Sequence, residues 1–303
     1  MRRLALAILA ISCLAVPAAA ASGDQALEDV RILSADDMAG RGIDTPQSAM
    51  ARAYIARRLR QIGLEPVEQP FSFAGKPGAP PVHGVNLIAR IAGTEPGGKV
   101  IVVTAHYDHL GVRKGQIYNG ADDNASGVAG LLAVAEAFQA QPPKHTILFA
   151  VVDGEESGER GSKAFVASPP VALSDIGLNI NFDMISKNDR NELYVAGSSH
   201  FPWLKPRLDR LAAEVPVTLK QGHDTDADGH GNNWTDESDQ GAFNAVGLPW
   251  VYFGVEDHPE YHKPTDDFAT VPPAFFGKSV ATVVAAARLF DDELDAMMKE
   301  AGR

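Results

Sequence analysis

Apolar positions are spaced in two ways along this chain, and the change falls near residue 98. Before it, Met50, Tyr54, Ile55, Leu59 and Ile62 recur mostly three and four residues apart, which predicts a helix. Thr45 reads as its N-cap, Pro46 as its first residue and Gly63 as its stop. Residues 64–95 read as short strands and loops. After residue 98, apolar strands alternate with helical patterns. Val100–Ala105, Thr146–Val152, Leu178–Phe182 and Leu248–Phe253 read as buried strands. Val128, Leu131, Leu132, Ala135 and Phe138 mark one helix face, and Gly161–Ala167 and Phe201–Val215 predict two more helices. Phe275–Lys299 closes the chain as a long amphipathic helix. This alternation predicts an α/β domain with a mostly parallel central sheet flanked by helices. No linker divides it, so residues 22–303 read as one domain.

The first 21 residues depart from that pattern. Arg2 and Arg3 precede a nearly continuous apolar run, Leu4–Val16, followed by Pro17 and small residues. That layout predicts a secretory signal peptide cleaved at Ala20 or Ala21. The run falls short of the ~20 residues a membrane span needs. Cys13 is the only cysteine; it fits a lipid-attachment site weakly and is expected to leave with the leader. The mature chain is therefore expected in the periplasm or outside the cell, as a monomer without disulfides or stable membrane insertion. Lys plus Arg number 27 against 39 Asp plus Glu, a net charge of −12 that becomes −14 once Arg2 and Arg3 are removed. So acidic a chain is a poor general binder of nucleic acid.

Ligands of open α/β sheets bind beyond the carboxyl ends of the strands. His106-Tyr107-Asp108-His109 follows the first run, and Asp153-Gly154-Glu155-Glu156 follows the second. Asp183 follows the third, and a short loop after the fourth leads to Tyr261-His262. Gly120–Gly127, containing Asp122, Asp123 and Asn124, precedes the first helix of the alternating region. Singly, each reads as a loop residue, a helix cap or surface charge. Together they are what a pair of zinc ions uses: imidazole and carboxylate ligands, one of them bridging. His106, Asp122, Glu156, Asp183 and His262 make five such ligands. Asp108 is placed to accept the second N–H of His106. Glu155 supplies a further carboxylate for general-base work.

These segments, with Gly154–Gly158, Phe182-Asp183-Met184, Met38–Gly42 and Gly247-Leu248-Pro249, resemble the secreted dizinc aminopeptidases of metallopeptidase family 28. The resemblance implies a three-layer zinc-exopeptidase fold and cleavage of peptides bearing a free N-terminus. It implies two Zn2+ per chain, with Asp122 bridging, His106 and Asp183 on one metal, and Glu156 and His262 on the other. It implies that Glu155 deprotonates the bridging water and later protonates the leaving amine. Asp108 would orient His106, and Tyr261 would hydrogen-bond the substrate carbonyl. Ser238-Asp239-Gln240 departs from the family's frequent Ser-Asp-His.

The alternatives are a glutaminyl-cyclase-like enzyme, which resembles this fold but works with a single zinc, and a metal-free relative, which would lack ligands. Asp224–Gly229 resembles the start of a calcium loop, but Thr235 stands where that loop needs Glu. It reads instead as a polar loop over the active site, with His223, His230 and Trp234 as candidate substrate contacts.

Overall fold

The structure, a computed structural model, describes residues 18–95, 97–228 and 232–303. Cys13, His230 and all but the last few residues of the expected signal peptide lie outside the described residues. In chain order the elements are α1 (Ala18–Leu33), α2 (Pro46–Ile62), β1 (Val67–Phe73), β2 (Val82–Ile91) and β3 (Val100–His106). The hairpin β4 (Gly111–Arg113) and β5 (Gln116–Tyr118) precedes α3 (Gly127–Ala140). Then come β6 (Ile147–Val152), α4 (Arg160–Ala167), β7 (Ile176–Phe182), β8 (Glu192–Ala196) and α5 (Lys205–Glu214). The chain ends with β9 (Thr218–Gln221), α6 (Gln240–Ala245), β10 (Trp250–Gly254) and α7 (Pro273–Glu300).

The start of α2 follows its capping chemistry. Thr45 Oγ1 accepts from Ser48 N at 3.1 Å. At its end Gly63 adopts φ 97°, a left-handed geometry that glycine allows without strain. Phe201–Val215 is not one helix: Pro202–Leu204 forms a tighter turn before α5. The five-residue β8 and four-residue β9 have no counterpart in the apolar pattern, being too short to establish a period.

Eight strands form one sheet in the order β1-β2-β6-β3-β7-β10-β8-β9. β6, β3, β7 and β10 run parallel, while β2 is antiparallel to β6 and β8 to β10. Successive side chains on β3 face opposite ways. Ile101, Val103 and Ala105 join the core under α1, α2, α3 and α7, while Val100 and Val102 pack with Phe165 of α4 and Phe243 of α6. Burial on both faces is why β3 and β6 read as nearly continuous apolar runs, while on β7 the buried Asn179 and Asn181 pair with Thr104 of β3. By length and composition α7 could cross a membrane. Here its Phe276, Val280, Val283, Ala287, Phe290 and Leu294 are buried in the core.

From β3 the chain goes to β6 on one side, then returns to β7 on the other. That reversal opens a crevice at the carboxyl ends of the central strands.

Candidate metal centre

Four strand ends and one turn build the site. β3 ends in His106 and continues through Tyr107, Asp108 and His109; β6 leads to Glu155 and Glu156, β7 to Asp183, and β10 to the loop bearing Tyr261 and His262. The turn Ala121–Ser126, whose Asp123–Asn124 peptide is cis, completes it. Asn124 fastens this turn to β7 by donating to Phe182 O at 2.9 Å. Asp266 anchors its start by accepting from the amides of Asp122 and Asp123.

The backing of the turn is Arg41, which is fully buried. Its guanidinium donates to Leu33 O, Tyr107 O and Asn119 O, each at 2.7 Å, and to Gly120 O at 2.9 Å. Burial pushes this group down to about 10. Arg41→Met is expected to destabilise the fold by several kcal/mol, since each buried carbonyl left unpaired costs about 1–3 kcal/mol. Denaturant unfolding checks this, and an unchanged midpoint would contradict it.

His106 Nε2 lies 3.3 Å from Asp183 Oδ1 and 3.4 Å from Asp123 Oδ1. His262 Nε2 lies 3.1 Å from Asp123 Oδ2 and 3.4 Å from Glu156 Oε2. Ligands ~2.0–2.1 Å from a tetrahedral ion stand ~3.3–3.4 Å apart, so both groups have the spacing of ligands around a metal. One oxygen of Asp123 faces each group. His106 Nε2, Asp183 Oδ1 and Glu156 Oε1 are buried and make no hydrogen bond. Such atoms are costly unless paired, and a cation between them would supply the missing partner. Imidazole and carboxylate donors suit zinc.

Read from the sequence, Asp122 stands between the two groups; in the structure Asp123 does. Asp122 turns to the opposite side, where Oδ1 accepts from Ser186 N at 2.7 Å, Ser186 Oγ at 2.8 Å and Ser126 Oγ at 3.0 Å. Its Oδ2 lies 3.0 Å from His258 Nε2. Neighbouring carboxylates on a tight turn leave it in different directions, and an Asp-Asp pair does not reveal which faces the crevice.

Asp108 meets His106 differently from expectation. Its backbone carbonyl lies 3.1 Å from His106 Nδ1, and its carboxylate 3.7 Å away. With Nδ1–H donated to that carbonyl, Nε2 keeps its lone pair toward the cluster. The Asp108 carboxylate accepts from Glu155 N at 3.0 Å and Glu156 N at 3.3 Å, which fixes both glutamates.

Glu155 Oε2 lies 3.9 Å from His106 Nε2. Burial pushes the Glu155 carboxyl well above the usual range; Asp183, Asp239 and Glu156 add to this, and His106 opposes it. Burial also raises Glu156, but the His109 and His262 imidazoles outweigh it and hold that carboxyl well below the usual range. Burial works against the charge on His262, yet Asp123 and Glu156 push its imidazole up to about 10. His106 is likewise raised, by Asp183 and Asp108, in spite of its burial.

The crevice above is a cavity of about 260 Å³. Asp123, Glu155, Glu156, Asp183, Tyr261 and His262 line it, with Met184, Trp234, Glu237, Tyr252, Val255 and Asp257. Tyr261 stacks on His262 with ring centroids 4.0 Å apart. Burial and the nearby carboxylates push its phenol well up, so it stays a hydrogen-bond donor.

Of the polar-loop residues, Trp234 lines the cavity and His223 stacks behind it, with centroids 3.9 Å apart. The Asp224 carboxylate accepts from Gly197 N, Ser199 N and Ser199 Oγ, so it fastens the loop. At the Ser-Asp-Gln departure, Ser238 Oγ donates to Asp183 Oδ2 at 2.7 Å. Gln240 donates to Trp234 O at 2.6 Å and fixes the cavity wall. His109, read from the sequence only as part of a motif, is also in the cluster: Nδ1 lies 2.6 Å from Glu156 Oε1 and 3.6 Å from Asp123 Oδ2.

Residues 86–287, which include every strand end that builds this site, match the model of Peptidase family M28. The chain belongs to peptidase family M28. The aminopeptidase YwaD of Bacillus subtilis is 29% identical over 179 residues, covering 55% of this chain and 36% of YwaD. The chain spans about a quarter of the length of other curated relatives it matches, 24% for probable zinc metalloproteases of two Pyrenophora species. Among solved structures, an aminopeptidase from Aneurinibacillus sp. strain AM-1 is similar with a TM-score of 0.70 and 16% identity, covering 88% of this chain and 93% of its own. A glutaminyl cyclase of Porphyromonas gingivalis is similar with a TM-score of 0.72 and 19% identity, covering 89% and 98%. Identities this low establish the shared fold of the M28 domain and no more.

Proposed function

We propose that this M28 domain is a zinc-dependent aminopeptidase, exported by its signal peptide and acting as a monomer on peptides with a free N-terminus. The observation that carries this reading is the pair of ligand-spaced groups sharing Asp123 in the acidic crevice. His106, Asp123 and Asp183 would hold one zinc, and Asp123, Glu156 and His262 the other. When bound, zinc supplies Lewis-acid polarisation of the scissile carbonyl and lowers the pKa of water.

The chain's own groups do the rest. The Glu155 carboxylate takes a proton from the attacking water as its oxygen adds to the carbonyl carbon. The Tyr261 hydroxyl donates to the carbonyl oxygen as negative charge develops there. Glu155 then delivers the proton to the leaving nitrogen as the C–N bond breaks. Asp108 keeps Glu155 in place through the backbone. Glu237 and Asp257 add negative charge to the same cavity, which favours a substrate's ammonium end.

Incubation with zinc and a peptide panel tests this reading. Release of free amino acids from aminoacyl anilides and unblocked dipeptides, but not from N-acetylated ones, is expected. Release of ammonia from N-terminal glutamine would instead support the cyclase reading, in line with the similar cyclase structure.

A second expectation concerns protons. Near neutral pH the metal-free protein holds protons on His106 and His262, both raised. Zinc takes neutral imidazole, so its uptake should expel these protons and tighten as pH rises toward 10. Calorimetry in buffers of differing ionisation enthalpy measures the release, and a heat independent of buffer would contradict it.

A further inference from the structure

Three residues of the loop after β10, each four positions from the next, clasp the turn Ala121–Ser126. His262 reaches the Asp123 carboxylate. Asp266 takes the amides of Asp122 and Asp123, and buried Lys187 balances its charge at 2.8 Å. His258 makes the third clasp, and no step of the proposed reaction uses it. Its side chain is 10% exposed, with Nε2 3.0 Å from Asp122 Oδ2 and Nδ1 3.1 Å from Glu260 Oε2. The far end of the bond to Asp122 is rigid. Asp122 is fully buried, and its Oδ1 already accepts from Ser186 N, Ser186 Oγ and Ser126 Oγ. Its Oδ2 faces His258, and since a carboxylate only accepts, Nε2 donates. The near end carries the chemistry. His258 O accepts from Tyr261 N at 3.0 Å, and the Tyr261 ring stacks on His262. His262 itself has φ 53°, a left-handed backbone that a non-glycine residue keeps only where its surroundings fix it.

We propose that His258 is a positioning residue for peptide hydrolysis: its bond to Asp122 holds the loop bearing Tyr261 and His262 against the turn bearing Asp123. The inference rests on the aminopeptidase reading above and adds the contact that sets its geometry. Asp266 fixes the turn through its backbone and so serves both ligand groups. His258 fixes the loop and so serves the side of Tyr261 and His262. Loss of its bond therefore displaces the Tyr261 phenol and the His262 imidazole, and leaves His106 and Asp183 in place.

Two substitutions separate this bond from the rest of the ring. The amide of His258→Gln can stand where Nε2 stands and reach Asp122, whereas that of His258→Asn stands near Nδ1 and falls short. His258→Asn is expected to lower kcat ~10–100-fold, the usual loss when a residue that orients a ligand is removed. KM should change little, because the Tyr261 contact is made in the transition state. His258→Gln should keep kcat near that of wild type. Hydrogen exchange on the metal-free proteins reads the clasp without activity. The Tyr261 amide should exchange ~10-fold or more faster in the Asn variant, the weight of one hydrogen bond to a charged group, and at the wild-type rate in the Gln variant. Equal loss in both variants, or none in either, overturns the proposal. Wild-type protein that cleaves no peptide, with the exchange pattern as expected, overturns the aminopeptidase reading and leaves His258 as the residue that holds the loop. If His258→Asn does not fold, His258→Gln decides alone, since a folded Gln variant with lowered kcat overturns the proposal.

Discussion

Asp123→Ala is expected to abolish binding at both metal positions and, with it, peptide hydrolysis. Each Asp123 oxygen belongs to a different group, 3.4 Å from His106 Nε2 on one side and 3.1 Å from His262 Nε2 on the other. Loss of a residue that merely orients a ligand costs about 10–100-fold in affinity, and loss of a shared ligand should exceed that twice over. Asp122→Ala is the control. Its carboxylate serves Ser126, Ser186 and His258, so its removal should loosen the turn and weaken metal binding without eliminating either position. Metal content after dialysis separates them. Two zincs retained by Asp123→Ala and none by Asp122→Ala would reverse the assignment.

Glu155→Gln is expected to keep both metals and to lower kcat by ~10²–10⁴-fold, the span of general acid–base catalysis. The amide preserves the shape of the side chain but cannot take up the proton. Its backbone amide keeps its bond to Asp108 Oδ1, so the neighbouring Glu156 should stay in place. KM should change little, because the lost interaction is made in the transition state. Full turnover with normal metal content would remove Glu155 from the role of base.

The scaffold was largely legible because its central strands are buried on both faces. Val100–Ala105, broken only by Thr104, and Ile147–Val152 are apolar runs for that reason, and each ends where the polarity of the crevice begins. His106, Glu155, Glu156, Asp183 and His262 were therefore found by looking past the strand ends, and the structure brings them together. Less was legible where direction matters more than position. Asp122 and Asp123 have the same chemistry and adjacent numbers, and only the path of the turn separates them. The contact of His109 with Glu156 was hidden because His106 and Asp108 already accounted for the motif. Its ring packs on the bare Gly120, a contact between residues on opposite sides of the β4–β5 hairpin.

A crystal of zinc-loaded protein, measured on both sides of the zinc edge, tests the central claim most directly. The account predicts two anomalous peaks ~3.5–4 Å apart, one beside each oxygen of Asp123. A single peak, or a pair gathered around Asp122, would contradict it.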